Sequence, residues 1–257
     1  YKICLFLYLT NIKMNSSNRI ELDIDGTSRY FYVIGGEQNS EVLVMCHGRG
    51  TGNAENWVKG YYANILDNLK SKYLVIAPQG EQQPSDSMPG WTTASNDVSG
   101  GYDEISFFDK MIEYCISTYS VSENGVSMLG YSNGSAMTLH YLLEGGYKLN
   151  NVLCNVTVFS DEQWDGEETL LSLRGGEEVK PDLSNTKITF CMGGEDTIIP
   201  FNGGEFLEEY IHPSLEVIKF LANYKEGSNV EEVEAQSLSK KLDLYCYKKQ
   251  DVALYHF

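Results

Sequence analysis

Gly130-Tyr-Ser-Asn-Gly134 places a serine between two glycines, and this GxSxG pattern occurs once in the chain. An apolar run, residues 125–130, precedes it, and a helical pattern, residues 136–143, follows. At a strand-to-helix turn of this kind the glycines let the two backbones approach, while the serine sits on a strained turn with its hydroxyl exposed. The pattern therefore predicts that Ser132 is a nucleophile for acyl transfer. An ordinary turn with a capping serine is the alternative.

A serine that attacks a carbonyl needs hydrogen-bond donors for the oxyanion that forms. One predicted donor is the backbone N–H of Asn133, at the head of the helix, where the helix dipole favours negative charge. The other is the N–H of Arg49, in the glycine-rich loop that follows the apolar run 41–46. His47 precedes the turn that presents this amide, so we expect it to shape the loop rather than to act as a base.

The serine also needs a base and a carboxylate that orients the base. In this architecture they follow in the order Ser, Asp or Glu, His. Asp196 comes just after the apolar run 187–192 and is the predicted acid. Carboxyl ends of strands are where α/β sheets gather their sites, which favours this position. Glu195 is the neighbouring alternative, and a helix-capping role is the alternative for Asp196 itself.

The base must be a histidine, and the chain contains four. His140 lies well inside the helix behind Ser132 and His212 precedes a proline at a helix start, so both are expected to be structural. His256 lies in the right region but a few residues early, within the final predicted strand. We therefore expect a C-terminally truncated sequence whose base lies beyond Phe257, with His256 as the candidate inside it.

Apolar runs that alternate with helical patterns must position these residues. The predicted strands are 20–25, 29–34, 41–46, 73–77, 125–130, 152–159, 187–192 and a hairpin over 242–257, and the predicted helices are 54–69, 102–119, 136–143 and 215–224. This rhythm implies right-handed crossovers and a mostly parallel sheet with helices on both faces. The first hairpin, which turns at residues 26–28, supplies antiparallel edge strands. We predict one α/β domain over residues 20–257, with residues 1–19 outside it.

Two polar segments interrupt the pattern. Residues 79–101 form a long segment without periodicity, and loops of that length usually border a site. It contains Trp91, which is predicted either to contact a substrate or to pack in the core. The acidic stretch 161–185 is predicted to be a solvated insertion.

Composition excludes several classes of partner. The chain carries 19 Lys and Arg against 36 Asp and Glu, a formal charge of −17, so nucleic acids and anionic membrane surfaces are disfavoured as partners.

The six cysteines form no CxxC or zinc-type cluster. We expect them to be buried as small hydrophobic residues, with one or two disulfides as the alternative for an exported protein. No metal or organic cofactor is implied. Residues 1–10 are either a signal-peptide remnant, which would make the protein secreted, or untranslated upstream sequence before Met14, which would leave it cytoplasmic.

Several of these segments together resemble one family, the esterases related to poly(3-hydroxybutyrate) depolymerases, which includes feruloyl and acetylxylan esterases. The resemblance extends over about residues 20–257 and is carried by the segments 25–30, 43–48, 77–80 with Trp91 downstream, 102–107, 130–137 and 193–204. It implies an α/β-hydrolase fold with Ser132 as nucleophile and Asp196 as acid. The chain departs from the family at Arg49, where Cys is usual, at Met192, where His is usual, and in lacking the family's glycine-rich histidine turn.

These observations predict a serine carboxylester hydrolase that acts on small-molecule or polymer esters of the polyester, feruloyl or acetyl type. The same triad on the same fold also serves serine peptidases and acyltransferases. A non-catalytic binding protein that lacks the triad histidine is the alternative from another class.

Overall fold

A computed structural model describes residues 17–36, 41–82, 87–93, 101–173, 176–206, 209–227, 230, 233–239 and 241–257. The strands are β1 (Asn18–Ile24), β2 (Thr27–Gly35), β3 (Glu41–Cys46), β4 (Tyr73–Pro78), β5 (Glu81–Gln82), β6 (Pro89–Gly90), β7 (Val126–Tyr131), β8 (Leu149–Asn155), β9 (Leu170–Leu171), β10 (Glu178–Val179), β11 (Lys187–Met192), β12 (Gly204–Phe206), β13 (Glu209–Ile211), β14 (Glu234–Ser239), β15 (Leu242–Tyr247) and β16 (Val252–His256). The helices are α1 (Ala54–Tyr61), α2 (Leu66–Lys70), α3 (Glu104–Tyr119), α4 (Asn133–Glu144) and α5 (Ser214–Glu226). Residues 1–16 and parts of the 79–101 segment lie outside the described residues.

Ten strands form one sheet in the order β1-β2-β4-β3-β7-β8-β11-β16-β15-β14. The central pairs β4/β3, β3/β7, β7/β8, β8/β11 and β11/β16 are parallel, and the outer pairs are antiparallel. The predicted mostly parallel sheet with antiparallel edges is confirmed. The buried positions of its central strands are mostly apolar because both faces of the sheet are covered.

Alternate residues of β3 face two separate parts of the core. Leu43 and Met45 pack in a cluster that includes Trp57 and Val58 of α1. The other face of β3 packs in the larger cluster, which includes the buried residues of α3, α4 and α5. Helices therefore cover both faces of the sheet, as predicted. None of the helices in the described part of the chain has the length and apolar character needed to cross a membrane.

Three predicted boundaries in the N-terminal part of the fold are corrected: the turn of the first hairpin, the start of β1 and the extent of the first helix. The first hairpin turns at Asp25 and Gly26, whose φ angles of 51° and 87° suit a two-residue Asp-Gly turn, rather than at residues 26–28. β1 begins at Asn18, so residues 18 and 19 belong to the fold. The predicted helix 54–69 is two helices, and the first ends near Gly60 and two tyrosines, residues of low helix propensity.

The region after β8 also differs from the prediction. β8 spans 149–155 rather than 152–159, because Val156 adopts φ 60° and turns the chain out of the sheet. The acidic insertion is less solvated than expected: Trp164, Leu170 and Leu173 are buried among its acidic residues. Trp164 stacks on Phe220 of α5 at 4.5 Å between ring centroids. The insertion is therefore anchored to the body of the protein.

The described cysteines are free thiols rather than disulfides. Cys191 is half-buried. The other four are buried: Cys46, Cys115, Cys154 and Cys246. Among the residues that the structure describes, the prediction of buried small hydrophobes is confirmed for these four.

Candidate active site

Ser132 lies at the sharp turn between β7 and α4. Its backbone adopts φ 52° and ψ −123°, a conformation that costs a non-glycine residue on the order of 1–3 kcal/mol. Its N–H donates to Asn155 O at 2.9 Å, and its carbonyl accepts from the N–H groups of Ser135 and Ala136, so neighbouring backbone holds the strained turn in place. The Ser132 side chain is half-buried and makes no capping hydrogen bond, which removes the capping alternative.

The two glycines of the motif allow three backbone segments to meet at this turn. A Cβ at Gly130 would lie 2.3 Å from Gly134 O, and a Cβ at Gly134 would lie 2.2 Å from Cys46 O. A Cβ at Gly48 would lie 3.5 Å from Ser132 Cβ. The loop after β3, which contains Arg49, therefore lies directly against the serine turn, on the side where the second oxyanion donor is predicted.

His47 shapes this loop, as predicted. Its Nδ1 lies 2.9 Å from Gly48 O and its Nε2 lies 2.9 Å from Gly80 N. The Gly80 N–H can only donate, so Nε2 is the acceptor and Nδ1 carries the proton that bonds to Gly48 O. The side chain is fully buried, and this burial lowers the pKa of His47, which keeps the imidazole neutral.

Trp91 belongs to the core, and the prediction of a substrate contact is corrected. Its side chain is 0% exposed, and its ring packs 5.0 Å from the His47 ring and 5.4 Å from the Phe108 ring. The indole N–H donates to His47 O at 2.8 Å. No surface of this side chain remains for a ligand. The described residues around Trp91 nevertheless lie beside the serine turn, as predicted for the 79–101 segment.

Asp196 lies in the loop that follows β11. Its Oδ1 accepts the N–H groups of Ile198 and Ile199 at 2.8 and 2.9 Å, which fixes the carboxylate within its own turn. Burial raises the pKa of Tyr131, the residue before Ser132, and the charges of Tyr61 and then Asp196 add to this increase. The Asp196 carboxylate therefore lies within electrostatic range of Tyr131, the residue before the predicted nucleophile. Glu195, the alternative acid, is exposed.

His256 ends β16 and lies opposite Met192 of β11. Its ring stacks on Phe201 at 4.1 Å. Two strands separate β16 from β7. Among the residues that the structure describes, no hydrogen bond joins His256 to Ser132 or to Asp196. The structure therefore places His256 at the same sheet edge as the predicted acid, but without the contacts that a triad base makes.

The remaining histidines are structural, as predicted. His140 is buried in α4 with its Nε2 3.3 Å from Glu144 Oε1. His212 is buried with its Nε2 2.9 Å from Trp164 O. No hydrogen bond joins Asp196 to a histidine among the residues that the structure describes. In the same part of the chain, no three His, Cys, Asp or Glu side chains are grouped as a metal site requires.

A buried ion pair next to the segment that contains Trp91 was not predicted from the sequence. Arg29 Nη2 bonds to Glu104 Oε2 at 2.8 Å, and both side chains are at most 1% exposed. The second carboxylate oxygen, Oε1, accepts the Thr92 N–H at 3.2 Å. Burial raises the pKa of Glu104, and the Arg29 charge opposes this increase. The sequence signal was an arginine at a core-facing position of an alternating strand, which needs a buried partner.

Comparison with solved structures agrees with this topology. The chain is similar to a variant of pOPH in complex with DMSO, with a TM-score of 0.58 and 16% identity over 86% of this chain and 79% of that one. It is also similar to a thermostable esterase, with a TM-score of 0.53 and 16% identity over 82% of this chain and 52% of that one. A proposed carboxylesterase from Lactobacillus plantarum gives a TM-score of 0.51 and 8% identity over 82% and 84% of the two chains. No family model and no curated protein sequence matches the chain.

Strand order, the serine turn and these structural relatives define the class of protein. The chain has the α/β-hydrolase fold, with the serine turn after β7 and the Asp196 loop after β11 at the same edge of the sheet. At such low sequence identities the similarity establishes the fold alone.

Proposed function

We propose that this chain is a serine carboxylester hydrolase in which Ser132 forms an acyl-enzyme. The observation that supports this most directly is the conformation of Ser132, whose φ of 52° is held by surrounding backbone hydrogen bonds. Strain at a non-glycine residue persists only where the surrounding structure imposes it, and such residues cluster at active sites. The names of the thermostable esterase and of the Lactobacillus plantarum protein agree with this class of reaction.

In the proposed reaction, Ser132 Oγ attacks the ester carbonyl carbon and gives its proton to an imidazole. The N–H groups of Asn133 and Arg49 donate to the oxyanion of the tetrahedral intermediate. The intermediate collapses when the C–O bond to the alcohol breaks, and the imidazole returns the proton to the leaving alcohol. Water then attacks the acyl-enzyme by the same route, which releases the carboxylic acid and restores Ser132.

Asp196 is the carboxylate that we assign to orient this imidazole. Its Oδ1 is occupied by two backbone N–H groups, which leaves Oδ2 to accept from a histidine. In this fold the triad histidine follows the strand next to the acid strand, here β16. His256 itself ends this strand, but its ring is stacked on Phe201 rather than hydrogen-bonded to Asp196, so we do not assign it as the base.

The substrate class that we propose is an uncharged ester of the polyester, feruloyl or acetyl type. The sequence segments that resemble the depolymerase-related esterases support this choice. The formal charge of −17 supports it as well, because an anionic substrate would be repelled at long range.

Covalent labelling of the complete encoded protein tests this proposal. A fluorophosphonate should label Ser132 alone, as read by peptide mass spectrometry, and p-nitrophenyl acetate, p-nitrophenyl butyrate and ethyl ferulate should be hydrolysed. Ser132→Ala should lower kcat by a factor of at least about 1,000, because triad members act as a unit. Ser117→Ala, on the exposed side of α3, is the matched control and should retain full activity. Labelling at another residue, or activity on peptides only, would contradict the proposal.

His256→Gln tests the assignment of the base. We expect kcat to fall less than about five-fold, because this ring is stacked on Phe201 and, among the described residues, makes no hydrogen bond to Ser132 or Asp196. A loss as large as that of Ser132→Ala would make His256 the base. An absence of both labelling and hydrolysis in the complete protein would instead favour a non-catalytic binding protein.

A further inference from the structure

Residues 87–93 connect the two loops that carry the proposed oxyanion donors. This segment includes β6. In space it lies between the loop after β3 and the start of α4, and it is hydrogen-bonded to both. The two predicted donors, the N–H groups of Arg49 and Asn133, belong to different elements. Their spacing therefore depends on whatever joins those elements.

At one end, the segment bonds to the residue after Arg49. The Gly50 N–H donates to Pro89 O at 2.8 Å. A Cβ at Gly50 would lie 3.3 Å from Met88 Sδ, so the Met88 side chain also rests on this loop. The position of the first donor is thus tied to β6.

At the other end, the segment bonds to the side chain of Asn133. Asn133 Oδ1 accepts the Trp91 N–H at 2.8 Å. Asn133 Nδ2 donates to Trp91 O at 3.2 Å and to Thr93 Oγ1 at 3.3 Å. These bonds occupy both ends of the amide, so this side chain fastens the start of α4 to the segment.

Between these ends, the Trp91 indole joins the segment to His47, at the start of the loop after β3. Its N–H donates to His47 O at 2.8 Å, and the whole side chain is buried. His47 in turn receives the Gly80 N–H and holds Gly48 O through its ring. The hydrogen bonds therefore form a continuous path from one proposed donor loop to the other.

We infer that the Asn133 side chain and Trp91 are positioning residues that set the spacing of the two oxyanion donors. This inference rests on the proposed function. In this inference neither side chain contacts the substrate; each acts through the backbone that it holds in place. Oxyanion donors matter more for the transition state than for the bound ester, so loss of the connection should lower kcat and leave KM nearly unchanged.

Two variants remove the connection at different points. Asn133→Ala removes the amide, and Trp91→Phe keeps a buried ring but removes the indole N–H. We expect each to lower kcat for p-nitrophenyl butyrate by about 10- to 100-fold, the range that a donor misplaced by up to 1 Å produces. KM should change less than about three-fold. The double variant should lose less than the product of the single losses, because both changes break one connection.

Matched controls separate positioning from general destabilisation. Trp164→Phe removes a buried indole N–H that donates to Glu167 O, and Asn151→Ala removes an amide that donates to Ser127 Oγ. Both lie outside this connection, so Tm should fall while kcat stays within about two-fold of the wild type. If Asn133→Ala and Trp91→Phe behave like these controls, the inference is wrong. If the wild-type protein shows no fluorophosphonate labelling at Ser132, the proposed function itself fails.

Discussion

Gly134→Ala tests whether the close approach of α4 to the loop after β3 is required for activity. The added Cβ would lie 2.2 Å from Cys46 O and 2.5 Å from His47 O, whereas ordinary contacts of a Cβ begin at 3.4 Å. Both atoms belong to the backbone, so neither can move away as a flexible side chain would. The start of α4 and the loop must therefore separate by about 1 Å.

This separation predicts two losses of different size. Overpacking a well-packed site costs about 1–3 kcal/mol in the free energy of unfolding, which for a domain of this size lowers Tm by about 2–12 °C. A displacement of about 1 Å at a catalytic centre lowers the rate by about 100-fold. We therefore expect a folded variant whose kcat falls far more than its stability.

Gly60→Ala is the matched control. Gly60 lies in α1, and a Cβ there would meet no atom within 4 Å. Alanine in an open helical position should stabilise the protein by about 0.5–1 kcal/mol, with wild-type activity. Tm by circular dichroism, and kcat with p-nitrophenyl butyrate, should be measured for both variants. If Gly134→Ala retains wild-type kcat, then activity does not require the start of α4 to lie this close to the loop after β3.

Three further changes should have measurable outcomes. Burial lowers the pKa of His47 from its ordinary value of 6.5, so the folded state binds this proton more weakly than the unfolded state. The free energy of unfolding, measured by urea titration, should therefore be highest above pH 6.5 and fall below it by up to about 1.4 kcal/mol per pH unit. His47→Gln should abolish this part of the pH dependence. Arg29→Met should cost about 3–5 kcal/mol in the free energy of unfolding, because it leaves the Glu104 carboxylate buried without its cation, and a second change, Glu104→Gln, should restore part of it if the ion pair is the cause. Burial raises the pKa of Cys115 to about 12 and that of Cys191 to about 11, so a thiol reagent at pH 8 should modify the half-buried Cys191 first and Cys115 only after unfolding; equal rates in the native protein would contradict the burial.

Hydrophobic patterning was sufficient for the order and type of the central elements. β3 is a continuous apolar run after Glu41, the buried residues of β11 are apolar and alternate along the strand, and α3 and α5 show helical spacing. The burial of these elements can therefore be predicted from residue type alone. The serine turn followed from the same reasoning, because two glycines between a strand and a helix have a specific steric meaning.

Features that depend on tertiary contacts could not be predicted in the same way. Val156 ends β8 with a positive φ, which a β-branched residue rarely adopts, so no local rule anticipates it. Trp91 is buried in a segment without periodicity, where nothing distinguishes a core residue from a ligand contact. The hydrogen bonds of the Asn133 side chain join residues about forty positions apart, and spacing along the chain carries no information about them.

The position of β16 in the sheet bears on how the protein is synthesised. β14 and β15 precede β16 in the chain, yet β16 lies between β15 and β11 in the sheet. While the chain emerges from the ribosome, the β14/β15 hairpin has no sheet to join until residues 252–256 have been translated. A two-stranded hairpin is marginal in water, so this edge of the sheet can form only after β16 has been translated. The Asp196 loop, which follows the neighbouring strand β11, thus acquires one flank only after β14 and β15 have already left the ribosome.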